Sequence, residues 1–97
     1  MNQTKGYPDR ETVEQIRRIY PVGSIIVLDE MTDEYALPVG TLGKVTGVDD
    51  IGSVMPIWQD GSSLHVLYGI DRCHLANEEE IRRYNELIAG QTVKYRS

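Results

Sequence analysis

The sequence predicts a mainly β fold with flanking helices, of the α+β class, over a chain of 97 residues. Three observations lead there. Residues 10–20 and 77–89 carry apolar side chains at helical spacing. Between them, 23–75 breaks into short β-branched runs separated by glycine and proline. The connections between those runs are rich in Asp, Ser, Gly and Pro, the chemistry of tight turns. Short strands with tight turns predict a small barrel of four or five strands, of the SH3-like kind. The whole, 1–97, reads as a single domain.

The elements follow in order. In "PDRETVEQIRRIY", Val13, Ile16, Ile19 and Tyr20 share one helical face. Asp9 or Thr12 can cap its start, Thr12 with Gln15 fits a capping box, and Pro21 ends it. The strand candidates are "SIIVL" (24–28), "GKVTGV" (43–48), "VMPIW" (54–58) and "SLHVLY" (63–68). Pro56 cannot donate to a ladder, so its strand should lie on an edge or carry a bulge. Asp60-Gly61 signals a hairpin. The tripeptide Pro-Val-Gly occurs at 21–23 and 38–40, each time just before a strand, as a repeated turn device. The second helix opens on an Asn77–Glu80 capping box with three glutamates in its first turn. Ile81, Tyr84, Leu87 and Ile88 form its apolar stripe, Gly90 suits a C-terminal cap, and 92–96 could add a strand.

Composition narrows the function. The core must be small and aliphatic, because the chain has no Phe and one Trp. A lone Cys73 allows no internal disulfide, and no apolar run approaches a membrane span, so a cytoplasmic protein is expected. The net charge of −5 is unevenly placed: residues 24–71 carry eight acids against Lys44 alone. This acidic middle argues against general nucleic-acid binding. It leaves room for a small anionic ligand held by Arg17, Arg18 or Arg72.

Several motifs also fall in a familiar order. Pro-x-Gly and a short apolar strand precede Met-x-Asp, and Pro-x-Gly-Thr-x-Gly-x-Val follows. Next come Gly-Val-Asp-Asp-x-Gly, the Trp58 segment with Gly-Ser-Ser-Leu, and Gly-x-Asp. Over about residues 13–75 the chain resembles the bacterial and phage domain-of-unknown-function family 4314. The resemblance implies an SH3-like barrel encoded by phages or mobile elements, hence the host cytoplasm, and it brings no activity. Two features depart from the family pattern: Gln59-Asp60-Gly61 replaces Asp-x-Gly after the Trp, and Pro56 stands within a strand.

The acidic pairs invite a catalytic or metal reading. Asp49 and Asp50 are adjacent and point to opposite faces if extended, and "DDIGSVMPIWQ" lacks a calcium loop's alternating acids and terminal Glu. The simpler expectation is a turn, with one aspartate bonding backbone N–H groups and Gly52 taking a positive φ. His65, Cys73 and His74 lack zinc-site spacing, and Ser62 and Ser63 have no orienting base. No enzyme, metal or cofactor is expected.

What remains is binding. Trp58 either plugs the core with Val54 and Pro56 or, beside Tyr35 or Tyr68, forms a stacking platform. The acidic loop 29–38 displays Met31, Asp33 and Tyr35. Asp49, Asp50, Asp60, Asp71 and Arg72 complete the candidate partner-contacting set. The expectation is a small non-enzymatic module engaging a protein partner or a second copy through its loops and the stripe of the second helix. The alternatives are a phage anti-defence protein that sequesters a nucleotide signal and, more remotely, a metal-dependent hydrolase using Asp49 and Asp50.

Overall fold

The computed structural model describes residues 8–96, with side chains to Gln91. It is a small α+β arrangement of four antiparallel strands in an open sheet and two helices. The first helix, α1 (Arg10–Ile19), starts at Asp9, whose carboxylate accepts the Thr12 N–H at 2.9 Å. Asp9 therefore caps, and Thr12 lies inside the helix rather than opening a box with Gln15. Tyr20 closes α1 by donating its N–H to Ile16 O, and the chain leaves at Pro21.

Four strands follow: β1 (Ile25–Glu30), β2 (Leu42–Val48), β3 (Val54–Trp58) and β4 (Arg72–Leu75), in spatial order β3-β2-β1-β4. Both Pro-Val-Gly segments are the same device. Ser24 N–H returns to Pro21 O at 3.0 Å and Thr41 N–H to Pro38 O at 3.1 Å. Each turn then docks on a neighbour through its glycine N–H, Gly23 to Val45 O and Gly40 to Leu28 O, both at 2.8 Å. In "DDIG", Asp49 Oδ1 accepts from Ser53 N–H at 2.8 Å and Ile51 N–H at 3.2 Å, and Gly52 sits at φ 82°. The aspartate–glycine turn forms as its chemistry requires.

Two apolar layers cover the sheet. On one face Ile26, Leu28, Val45, Val48, Val54, Trp58 and Val66 form the main core, against which Ile16 of α1 and its C-cap Tyr20 pack. On the other, Val27 and Leu42 meet Tyr84 and Ile88 of the second helix, α2 (Glu78–Arg96). Alternation along β1 sends Ile26 and Leu28 one way and Val27 the other. Burying one such large side chain contributes about 1.5–3 kcal/mol. Trp58 fills the main core at 1% exposure, and its indole N–H donates to Leu64 O at 2.8 Å. It is the plug and not a stacking platform.

Pro56 explains a difference from the sequence reading. β3 is the edge strand, and its register with β2 slips between Val45 and Gly47, so the proline sits with both an edge and a bulge. The bonded rungs to β2 fall on Ile57 and Gln59, which turns the backbone of Val54, Pro56 and Trp58 outward. There Val54 exchanges both bonds with Val66, and Trp58 N–H reaches Ser62 O at 2.8 Å. Between them Pro56 has no N–H to give. The expected strand at 63–68 is consequently reduced to a single bridge, Val54–Val66.

The C-terminal part also differs. Residues 72–75 form β4, which the sequence reading did not assign as a strand. At α2 the Asn77–Glu80 box is present: Glu80 N–H donates to Asn77 Oδ1 at 2.8 Å, and Asn77 N–H to Glu80 Oε1 at 2.9 Å. The helix then runs through Gly90 to Arg96. The strand expected at 92–96 and the cap at Gly90 are both corrected. Gly90 costs a helix about 1 kcal/mol relative to Ala, and no proline follows to stop it. Gln91 also anchors the helix, its amide donating to Gln59 O at 3.0 Å. Among the described residues no helix is long and apolar enough to cross a membrane.

Candidate functional site

A cleft of about 430 Å³ opens where three segments meet. The last turn of α1 and its C-cap supply Ile16, Ile19 and Tyr20. The turn after the Val54–Val66 bridge supplies Leu67, Tyr68 and Gly69, and β1 and β4 supply Asp29, Arg72 and Cys73. Its size falls within the range of ligand clefts, about 300–1,000 Å³. Ile19 is 51% exposed and Tyr68 40%, so the walls present apolar surface to solvent. α1 places Ile16 and Ile19 there because its apolar face continues past the residues that touch the sheet.

Asp71 builds the second wall. It is 7% exposed; Oδ1 accepts from Thr32 N–H at 3.1 Å and Oδ2 from Leu67 N–H at 3.0 Å. One carboxylate thus ties the 67–71 turn to the start of the β1–β2 loop. Its oxygens are committed to backbone donors. Arg72 emerges beside it and meets Glu30 through Nε at 3.0 Å and Nη2 at 2.9 Å. On the cleft floor the Tyr20 hydroxyl donates to Cys73 O across 3.4 Å. Burial pushes the Cys73 thiol up to about 11, so it is no activated nucleophile.

Behind the cleft His74 joins two elements. Nδ1 donates to Asp29, 2.9 and 3.0 Å from the two carboxylate oxygens, and Nε2 lies 3.5 Å from Glu80 Oε2. The bond to Asp29 raises the imidazole above its ordinary value, against a smaller lowering by desolvation. Glu80 is held below the usual carboxylate range, chiefly by the Asn77 N–H.

The other candidates lie apart from this cleft. Asp49 and Asp50 diverge: Asp49 Oδ2 faces His65 at 3.7 Å, whereas Asp50 pairs with Arg17 at 3.1 Å. They are not a joined acid pair. Asp60 accepts the Ser62 N–H at 2.9 Å and Asp33 the Tyr35 N–H at 2.7 Å, each closing its own turn. Met31 packs on the main core, and Tyr35 is 74% exposed and does not line the cleft. Of the ten candidates, only Tyr68, Asp71 and Arg72 line the cleft. Among the described residues no group of three or more His, Cys, Asp or Glu side chains is placed to hold a metal ion. On α2, Tyr84 and Ile88 of the expected association stripe face the sheet instead, leaving Ile81 and Leu87 at the margins.

Sequence reasoning missed Ile16, Ile19, Tyr20, Leu67 and Cys73 as cleft residues. The one available signal was Ile19 and Tyr20 at the end of an apolar helical face, directly before Pro21.

No curated protein and no solved structure matches the chain. One family model does, described as "Domain of unknown function (DUF4314)", over residues 9–76. The match takes in α1, all four strands and every residue lining the cleft, and stops before α2. The chain therefore belongs to the DUF4314 family, whose shared segment is the helix-and-sheet unit that carries the cleft.

Proposed function

We propose that this chain is a small, non-enzymatic binding module of the SH3-like barrel kind, which engages a segment of a partner protein in the cleft between α1, the 67–69 turn and β4. One observation carries the reading: exposed Ile19 and Tyr68 flank a cleft built by three elements far apart in sequence. The partner segment is apolar, to match the exposed Ile19 and Tyr68 that wall the cleft. The barrel reading is supported by the path of the chain. After the Val54–Val66 bridge outside β3, it reaches β4 at the opposite edge within residues 67–71. Strong curling of the sheet would account for so short a connection between its two edges.

The nucleotide-sequestering alternative needs arginines converging on an aromatic ring. Arg17 is engaged by Val48 O, Asp50 and Glu14, Arg72 by Glu30, and Trp58 is interior. The protein-segment reading is therefore preferred. Its test is selection of displayed random octapeptides on the wild-type chain and on Ile19→Lys, a change at an exposed helix end. Binders enriched on wild type and weakened at least tenfold by Ile19→Lys are expected. Binders indifferent to that change, or no enrichment, refute it.

A further inference from the structure

The ladder between β1 and β4 has a definite parity. Ala76 N–H donates to Ile25 O at 2.9 Å, and in antiparallel ladders bonded and non-bonded pairs alternate. Val27 and His74 therefore exchange bonds, while the pairs Ile26–Leu75 and Leu28–Cys73 do not. On the β1 side Leu28 turns toward β2, its N–H donating to Thr41 O at 2.9 Å. On the β4 side the same parity turns the N–H and C=O groups of Cys73 and Leu75 away from the sheet. β4 ends the strand order, and the one described group that reaches this row is the Tyr20 hydroxyl, 3.4 Å from Cys73 O. An edge with outward backbone donors and acceptors is a template for another strand.

The side chains along that edge sort by face. Cys73 and Leu75 share one face, on which Cys73 lines the cleft, and Leu75 is 46% exposed. Arg72 and His74 share the other, with Glu30, Asp29 and Glu80 as their partners. The edge therefore presents an apolar side next to Ile19, Tyr20 and Tyr68, and a charged side from which Asp29 and Arg72 also reach the rim of the cleft.

We infer that the free edge of β4 binds an extended segment of a partner protein by strand addition, with the segment's alternate apolar side chains lying in the cleft. The inference rests on the reading of the cleft as a partner site and adds the binding mode. Main-chain bonds to Cys73 and Leu75 hold the segment, and the cleft selects every second residue. A partner segment fits better than a second copy of β4. A copy would bring its own α1 and 67–69 turn to the same face, and about 430 Å³ admits a few side chains, not those elements.

The test uses the full chain and the octapeptides selected above. Leu75→Pro removes one outward N–H while leaving the β1 ladder intact. His74→Pro, which breaks that ladder, serves as the unfolding control. Enriched peptides should show apolar residues at alternate positions, shift the backbone amide signals of Cys73 and Leu75, and bind Leu75→Pro about tenfold or more weakly. If Leu75→Pro does not fold, slowed exchange of the Cys73 and Leu75 amides on peptide binding decides the matter alone. Binders weakened by Ile19→Lys but not by Leu75→Pro, with those amides unmoved, overturn strand addition and leave the cleft standing. No binder, or binders indifferent to both variants, overturns both. A dimer in sedimentation that Leu75→Pro dissolves assigns the edge to a second copy and overturns the partner inference.

Discussion

Gly43→Ala should be among the most damaging small substitutions in this chain. A Cβ built on Gly43 would lie 2.7 Å from Trp58 Cε3, 3.2 Å from Trp58 Cδ2 and 3.2 Å from Ile57 O. Carbon atoms in contact prefer about 3.5–4.0 Å, so the indole must retreat by roughly 1 Å. It has little room, being interior and tied to Leu64 O at 2.8 Å. Overpacking of this kind costs about 1–3 kcal/mol, and straining the indole bond adds about 1 kcal/mol. Relief of unfolded-chain entropy returns about 0.4–1 kcal/mol. The net loss is about 1–3.5 kcal/mol, a fall in Tm of roughly 5–20 °C for a domain of this size. Thermal unfolding followed by the fluorescence of the single tryptophan measures it. Adding Trp58→Leu should make the two changes less than additive, because the collision disappears with the ring. A Gly43→Ala protein melting within 3 °C (roughly 0.5 kcal/mol) of wild type, with unchanged emission, would refute the packing described.

Asp71→Ala should destabilise the fold by about 2–4 kcal/mol in urea titration, since it strands the Thr32 and Leu67 N–H donors. It should also broaden the amide signals of residues 67–71 before those of β2. His74 is raised above its ordinary 6.5 by Asp29, so its stabilising contribution is complete below pH 6.5 and is lost as pH rises through the folded value. The pair is largely solvent-exposed, so the effect on stability is small. An NMR titration should place His74 above 6.5 and show Asp29→Asn lowering it; an unmoved titration curve contradicts the contact. The thiol of Cys73, raised from 9.0 to about 11, should react with iodoacetamide at pH 8 about a hundredfold more slowly folded than in urea.

What the sequence disclosed was local chemistry. Pro21, the Asn77–Glu80 box, the Asp60-Gly61 turn and the edge position of Pro56 each depend on residues a few places apart, and each stands in the structure. For Trp58 the sequence left the plug and the platform open, with the lack of any Phe favouring the plug, and the structure decides for the plug. Non-local features were hidden. "RCHL" has no strand signature of its own, and it is extended because β1 offers it a ladder. The 63–68 run has the composition of a strand, yet the missing donor of Pro56 cuts its pairing to one bridge. The cleft joins Ile19 to Leu67 and Cys73, which no spacing rule connects. Asp71 was expected to contact a partner, and only its reach to Thr32 shows that its carboxylate instead braces the cleft wall. Past Gly90, helix continuation depended on the absence of a stop signal, which composition alone left open.

The guarded outer margin of β3 limits how this protein can assemble. With a proline in the middle rung and residues 62–66 lying alongside, that side gives an incoming chain no continuous ladder to extend. Growth of the sheet is thus possible in one direction only. Any association through it closes after a single addition, which protects a small, acid-rich polypeptide from running on into filaments.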